Sequence, residues 1–190
     1  MARLSVELSI VIGLAGAGAL GNPTVPLPST LQKACKKGVA SDCNHLGVLY
    51  EKGLGVPKDE RRAATLFEQA CKGGEATGCN NLGSFYERGL GVPKDERRAA
   101  PLYEQACQGG VAIGCKSLGL LYATGRGVPQ DEGRAAPLWE KACTDGDASG
   151  CLNLGILHAK GLGVPKNERR AAELFEKACQ GGISQACFGQ

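Results

Sequence analysis

The amino-acid sequence predicts an all-α fold, an α/α solenoid of 36-residue helix-turn-helix repeats stapled by disulfide bonds. Three observations support this fold class: paired cysteines recur at a fixed period, a helical apolar face recurs with them, and segments rich in glycine and proline separate the helices. A fixed period of this length is typical of one supersecondary unit stacked on copies of itself, because a single unit cannot bury its own apolar face.

The period divides the chain into four whole repeats with a fragment at each end. The content of 43% hydrophobic and 22% charged residues is typical of a folded chain. The net charge of +3 is small, and basic side chains alternate with acidic ones in every repeat, so nucleic acid is not expected as a partner. The repeats comprise residues 39–74, 75–110, 111–146 and 147–182, within a solenoid of residues 29–190 whose terminal fragments are 29–38 and 183–190.

The first 28 residues share nothing with the repeat. Residues 1–19 predict a signal peptide, since the apolar run Leu8–Leu20 ends near the small-x-small pattern Ala17-Gly18-Ala19. This run is too short for a transmembrane helix, so no stable membrane span is expected. Residues 20–28 are rich in proline and predict an extended linker, with order beginning near Ser29. The alternatives to cleavage are a tail that stays attached and an uncleaved anchor.

Each repeat begins with a predicted helix whose small and apolar residues recur at intervals of three and four. Gly47 and its copies lie inside this helix, where glycine costs about 1 kcal/mol relative to alanine, so we expect a close backbone approach between helices. The segment 53–57, Gly-Leu-Gly-Val-Pro, predicts the end of the helix. In repeat one the face comprises Ala40, Cys43, Leu46, Gly47, Tyr50 and Gly53, and His158 replaces the tyrosine in repeat four.

A second helix is predicted in each repeat after a residue suited to N-capping. These capping residues are Asp59, Asp95, Asp131 and Asn167, and the aromatic column of the second helix holds Phe67, Tyr103, Trp139 and Phe175.

Two features of the second helix predict irregular or charged local structure. Pro101 and Pro137 fall several residues inside the helix, so a local kink or a late start is expected in repeats two and three. Arginine pairs at its start, such as 61–62, 97–98 and 169–170, lie beside glutamates and predict a solvated, salt-bridged face.

Two pairings of the ten cysteines suit an antiparallel hairpin, because both join residues at the same end of the hairpin. Joining Cys43 to Cys71, and continuing in that way, leaves Cys35 and Cys187 unpaired, whereas joining cysteines eight residues apart leaves none. We therefore expect the eight-residue pairs. A zinc site is not expected, since the chain has no Cys-x-x-Cys and two histidines. The expected bridges are Cys35–Cys43, Cys71–Cys79, Cys107–Cys115, Cys143–Cys151 and Cys179–Cys187.

The repeated motifs Asn-Leu-Gly-x-x-Tyr, Gly-x-Gly-Val-Pro and Arg-Ala-Ala-x-Leu-aromatic-Glu, with the Cys-x7-Cys pairs, resemble the Sel-one-like repeat family. Within that family, the cysteine pairs are similar to those of the Helicobacter cysteine-rich proteins, a secreted group often classed as cysteine-rich β-lactamases or penicillin-binding proteins. The resemblance implies the repeat fold and two functions. One is a protein-binding adaptor, and the other is penicillin binding with weak β-lactam hydrolysis, with a β-lactam or a peptidoglycan-related ligand.

The residues themselves support neither a catalytic centre nor a cofactor. A serine β-lactamase uses Ser-x-x-Lys with Lys-Thr-Gly, and neither motif occurs. Ser29 and Lys33 come nearest, and they predict a solvated helix surface. His45 and His158 lie three repeats apart, so a zinc-activated water is not expected, and His158 is expected to be structural.

The candidate binding site is a stripe of first-helix positions that vary among the repeats, which we call the first-helix stripe. Variation at these positions is interpreted as freedom from the demands of stacking, and in related solenoids the first helices line a concave surface that holds a protein or an extended peptide. The alternative is neutral drift of surface residues. The stripe comprises Ser41, Asn44, Val48 and Glu51; Thr77, Asn80, Ser84 and Glu87; Ile113, Lys116, Leu120 and Ala123; and Ser149, Leu152, Ile156 and Ala159.

Ten oxidised cysteines require an oxidising compartment, in agreement with the predicted signal peptide. The expected location is therefore secreted or periplasmic. A mitochondrial intermembrane factor is the weaker alternative, because the N-terminus is not an Arg-rich amphipathic segment.

Overall fold

The structure of the protein is a computed structural model that describes residues Leu27 to Phe188. The predicted signal peptide, residues 1–19, and most of the predicted linker lie outside the described residues. Pro28, the last residue of that linker, instead opens the first helix, where a proline is tolerated because the first N–H groups of a helix have no helical partner.

The described residues form helices and no strands, so the predicted all-α solenoid is confirmed. We call α2, α4, α6 and α8 the first helices and α3, α5, α7 and α9 the second helices, and α1 is the second helix of an incomplete preceding unit. Each helix packs on the next one along the chain. The bounds are α1 Pro28–Lys36, α2 Ala40–Lys52, α3 Glu60–Lys72, α4 Ala76–Arg88, α5 Glu96–Gln108, α6 Ala112–Thr124, α7 Glu132–Thr144, α8 Ala148–Lys160, α9 Glu168–Gln180 and a 3-10 helix Ser184–Phe188.

The helices begin and end where local chemistry predicts. The side chain of Asp59 accepts a hydrogen bond of 2.9 Å from the backbone N–H of Arg62, and the other three predicted capping residues do the same in their own repeats. Each first helix ends at a glycine in the left-handed conformation, as at Gly53 with φ of 70°.

The expected late start of the second helix in repeats two and three is wrong. All four second helices start at equivalent residues and have 13 residues each, with Pro101 and Pro137 inside α5 and α7. Pro101 is exposed, and so is Arg97, whose carbonyl loses its helical partner to the proline. Water can satisfy that carbonyl, so the helix continues through the proline.

The helical glycine of each first helix accommodates an aromatic ring, and not the close backbone approach that the sequence suggests. A Cβ added at Gly119 would lie 2.5 Å from Nε1 of Trp139, and Gly47 faces Phe67 in the same way. The Trp139 indole also donates a hydrogen bond of 3.1 Å to the carbonyl of Lys116. The glycine therefore packs the two helices of one repeat around a large side chain.

Replacing Gly119 with alanine is expected to lower the free energy of unfolding by about 2 kcal/mol. Overpacking costs about 1–3 kcal/mol. Displacing the Trp139 ring loses a hydrogen bond worth about 1 kcal/mol, and the better helix propensity of alanine offsets about 1 kcal/mol. Guanidinium denaturation of the oxidised protein measures the change.

Gly133 in α7 provides the matched control for Gly119→Ala. It also lies in a helix of repeat three, but it is exposed, and arginine occupies the same position in repeats one, two and four. Gly133→Ala is expected to raise the free energy of unfolding by up to about 1 kcal/mol. Stabilisation by both substitutions would show that the ring does not fill the space at Gly119.

Four disulfides join the end of a second helix, α1 included, to the start of the first helix that follows it, and a fifth joins the end of α9 to the 3-10 helix. The bridges pair cysteines eight residues apart, as the arithmetic of the sequence favours, and Cα–Cα distances lie between 4.5 and 5.0 Å. Cys107 and Cys115 in the middle of the stack are buried, whereas Cys187 at its end is exposed. Each bridge therefore links one unit covalently to its neighbour.

Loop glycines bring consecutive repeats into backbone contact. Gly91, the second glycine of Gly-Leu-Gly-Val-Pro in repeat two, has φ of 65°, and a Cβ added there would overlap the backbone carbonyl of Glu60 in repeat one. Gly127 and Gly163 face the preceding repeat in the same manner. This glycine therefore fits each loop against the start of the preceding second helix, a contact that the sequence analysis missed.

Candidate functional site

The first-helix stripe has its largest exposed apolar side chains on α6. Ile113 is 52% exposed and Leu120 is 40% exposed, and they lie seven residues apart, two helical turns along one face. Leu152 and Ile156 on α8 are half-buried. The apolar half of the stripe therefore lies in repeats three and four.

Asn44 is a stripe residue whose side chain belongs to the interface between repeats. It is 8% exposed, its Nδ2 donates a hydrogen bond of 3.1 Å to Oγ1 of Thr77, and its Oδ1 accepts one of 2.9 Å from Nδ2 of Asn81. The packing of repeat one on repeat two therefore uses the side chains of Asn44 and Thr77. The interpretation of these two positions as free from the demands of stacking is wrong.

The residue equivalent to Asn44 in repeat three, Lys116, also contacts the next repeat. Nζ of Lys116 pairs with Oδ2 of Asp147 at 3.2 Å, so Lys116 is also an inter-repeat residue. Oδ1 of Asn80 is buried and finds no hydrogen-bond partner among the described residues. Asn80 is the repeat-two equivalent of Asn44, but Ile113 occupies the position in repeat three that Thr77 holds in repeat two. Ile113 has no hydroxyl that could bond to Asn80.

Glu87, a further stripe residue, is held by a polar network between repeats two and three. Tyr103 Oη donates to its Oε2 at 2.6 Å, and Arg126 Nη2 donates to its Oε1 at 2.9 Å. Arg126 also pairs with Glu96 at 3.5 Å. Burial, together with the Glu87 carboxylate, raises the pKa of the Tyr103 phenol well above its ordinary value.

The Glu87 network was not predicted from the sequence. The available signal is Arg126 itself, because the other three repeats have leucine between the two glycines of this loop. Since the network occupies both Glu87 carboxylate oxygens, Glu87 orders the interface and is not free to bind a partner.

The arginine pairs at the start of the second helices do not form the uniform salt-bridged face that the sequence suggests. In repeats one to three the second arginine position stacks on a tyrosine, with guanidinium-to-ring distances of 5.1 Å for Arg62, 4.2 Å for Arg98 and 4.1 Å for Arg134. In repeat four, where His158 replaces the tyrosine, Arg170 pairs with Glu140 and Glu173. The ion-paired interpretation is therefore correct for repeat four alone.

The four residues considered for hydrolysis lie on three different helices, α1, α2 and α8. Ser29 and Lys33 are both exposed on α1, and within Leu27–Phe188 no hydrogen bond or ion pair engages either side chain. His158 is half-buried, and His45 is exposed on α2. Residues Leu27–Phe188 contain no group of three or more potential metal ligands, and none of their helices is long and apolar enough to cross a membrane.

The sequence matches the model of one protein family, described as Sel1 repeat, in four consecutive spans that together cover more than half of the chain. These spans are residues 40–75, 76–111, 112–147 and 148–183. A comparison with curated proteins found no match.

Solved structures of repeat proteins are similar to this chain. A protective antigen of uropathogenic Escherichia coli strains that displays an SLR fold has a TM-score of 0.82 and 31% identity, over 85% of this chain and 34% of that chain. A Sel1 repeat protein from Oxalobacter formigenes has a TM-score of 0.77 and 28% identity, over 84% of this chain and 63% of that chain. The chain thus spans about a third of the length of the first and less than two thirds of the second.

A third similar structure shares the high cysteine content. The Helicobacter pylori cysteine rich protein B is 36% identical, with a TM-score of 0.55, over 68% of this chain and 93% of that chain.

Proposed function

The chain belongs to the Sel1 repeat family, and from this premise we propose that it is a secreted or periplasmic scaffold that binds a protein segment along the first-helix stripe. The observation that carries the proposal is the exposure of Ile113 and Leu120 on one face of α6, two helical turns apart. Large apolar side chains exposed on one face favour a binding surface, because their burial by a partner removes apolar area from water.

The covalent links between repeats support this function energetically. Because a disulfide joins each unit to the next, the first helices keep a fixed spacing before a partner arrives. A preorganised surface loses less conformational entropy on binding than a flexible one does. The five bridges also favour an oxidising compartment, which supports the secreted or periplasmic location.

The occupant that fits the stripe best is an extended segment with apolar side chains. Repeat solenoids present elongated surfaces that suit extended chains. Asn44, Thr77, Lys116 and Glu87 are engaged within the stack, so the partner is held mainly by the apolar residues of repeats three and four. We therefore place the centre of binding on α6 and α8.

The double substitution Ile113→Asp and Leu120→Asp is expected to weaken peptide binding at least 100-fold. Each replacement removes a central apolar anchor, which costs about 2 kcal/mol or more at a hot spot. Peptides are selected on the immobilised oxidised protein by phage display, and their affinities for the wild type and the variant are then measured by fluorescence anisotropy.

Leu54→Asp with Leu162→Asp is the matched control for this experiment. These leucines are 54% and 43% exposed, close to the values for Ile113 and Leu120, but they lie in the loops that follow α2 and α8. The control is expected to bind the selected peptides like the wild type. Equal binding by the α6 variant, with unchanged helix content by circular dichroism, would refute the stripe as the binding surface.

A further inference from the structure

Two equivalent clefts lie between successive second helices, away from the first-helix stripe. None of the sixteen stripe residues lines either cleft. The residues of the first cleft, of about 230 Å³, include Gln32, Lys36, Leu46, Tyr50, Arg62, Thr65 and Leu66. The second cleft, of about 310 Å³, is lined by the residues 36 positions further along, among them Glu68, Lys72, Tyr86 and Arg98.

Each cleft combines an apolar floor with a guanidinium group held in place. In the first cleft Arg62 stacks over the Tyr50 ring at 5.1 Å and donates a hydrogen bond of 3.2 Å to the Tyr50 hydroxyl. Neither Arg62 nor Arg98 forms an ion pair with any described carboxylate. Arg62 lines the cleft, and the Tyr50 hydroxyl is the one side-chain acceptor that it engages among the described residues, so its other donors remain for an oxyanion, which a planar guanidinium binds well.

Repeat four shows which chemical group binds the arginine at the position equivalent to Arg62. Arg170, the equivalent of Arg62, pairs with Oε1 of Glu140 at 2.8 Å and with Oε2 of Glu173 at 3.4 Å. The residues of the first cleft at these two carboxylate positions are Gln32 and Thr65. The fold therefore places a carboxylate against this arginine in repeat four, and the first cleft lacks one of its own.

Charge distinguishes the two clefts. The first cleft contains Lys36 and Arg62 and no acidic side chain, so it is positively charged. The second contains Glu68, which pairs with Lys72 at 2.6 Å and reduces the net positive charge near Arg98. An anion is therefore expected to prefer the first cleft.

We propose that the first cleft binds a compact apolar carboxylate, such as an apolar residue with a free α-carboxylate. The carboxylate lies against Arg62 in the place that glutamates take beside Arg170, and the apolar part packs on Leu46, Tyr50 and Leu66. At about 230 Å³ the cleft is smaller than the pockets of about 300–1,000 Å³ that hold drug-sized ligands, so it suits a small ligand of about one residue. The second cleft takes the same class of ligand more weakly.

The test uses N-acetylleucine and, as its uncharged counterpart, N-acetylleucinamide. Both are titrated into the isotope-labelled, oxidised protein, and NMR shifts of the Arg62 side chain and the Leu46 and Leu66 methyl groups are followed. We expect saturable binding of the acid and at least tenfold weaker binding of the amide. A peptide that ends in Gly-Gly-Leu with a free carboxylate identifies the source of the ligand. Tighter binding than N-acetylleucine indicates the C-terminus of a chain, and equal or weaker binding indicates a free acid.

Two substitutions test the site itself. Arg62→Gln removes the guanidinium, and Thr65→Glu introduces the carboxylate that repeat four carries as Glu173, so each is expected to weaken binding of N-acetylleucine at least tenfold. Arg61→Gln, which changes an exposed neighbour outside the cleft, is expected to bind normally. Because glutamate is native at this position in repeat four, Thr65→Glu is expected to fold, which circular dichroism verifies. Equal binding of acid and amide, undiminished binding by Thr65→Glu, or no saturable shift overturns the proposal.

Discussion

Replacing Gly91 with alanine is expected to lower the free energy of unfolding by about 3 kcal/mol or more. Alanine at a φ of 65° costs about 1–2 kcal/mol, because its Cβ crowds the backbone in the left-handed conformation. The larger part of the loss arises between repeats, since the new Cβ would overlap the carbonyl of Glu60 and the atom it meets is backbone. The loop can relieve the overlap only by moving away from α3, which disrupts the stacking of repeats one and two.

Gly55→Ala separates these two contributions. Gly55 occupies the same motif position in repeat one and has a φ of 70°, but the nearest atom to an added Cβ is Cγ of Pro28 at 3.4 Å, an ordinary contact. The expected loss is therefore only the conformational cost of about 1–2 kcal/mol. Guanidinium denaturation of both variants gives the comparison, and equal losses would show that Gly91 does not hold the repeats together.

Replacing both Cys107 and Cys115 with alanine is expected to lower the free energy of unfolding by about 2–3 kcal/mol. The chain-entropy model gives this value for a loop closed over eight residues, because the bridge restricts the unfolded chain. The bridge joins α5 to α6, so its loss also weakens the coupling between repeats two and three. We expect the unfolding transition, followed by circular dichroism, to broaden as well as to shift.

The terminal bridge is the control for the central one. Cys179 and Cys187 are also eight residues apart, but their bridge ties down only the short 3-10 helix at the end of the described chain. The chain-entropy model alone gives both bridges the same value, but the terminal segment buries little and can open locally without unfolding the stack, so its bridge contributes little to global unfolding. Replacing both with alanine is therefore expected to cost less than about 1 kcal/mol and to leave the transition sharp. A loss equal to that of the central pair would show that the position of a bridge in the stack does not matter.

The candidate site was predictable only in part. The sequence correctly places the sixteen stripe residues on the first helices, because helical periodicity is a local property. It does not reveal that Asn44, Lys116 and Glu87 are occupied within the stack. Their partners Thr77, Asp147 and Arg126 lie in the following repeat, and variation among repeats does not distinguish a free surface residue from one paired across an interface.

The sequence by itself determined the period, the two helices of each repeat, the four N-caps of the second helices and the pairing of the cysteines. Each depends on interactions within a few residues or on simple counting, and 36-residue repetition supplies four copies of the same signal. The tertiary structure alone decided that Gly91 abuts Glu60, that Trp139 fills the space at Gly119, and that Arg62 stacks on Tyr50 while Arg170 binds glutamates. The physical reason is that these contacts depend on how closely, and at what angle, one helix packs on the next, and that geometry is a property of the assembled stack.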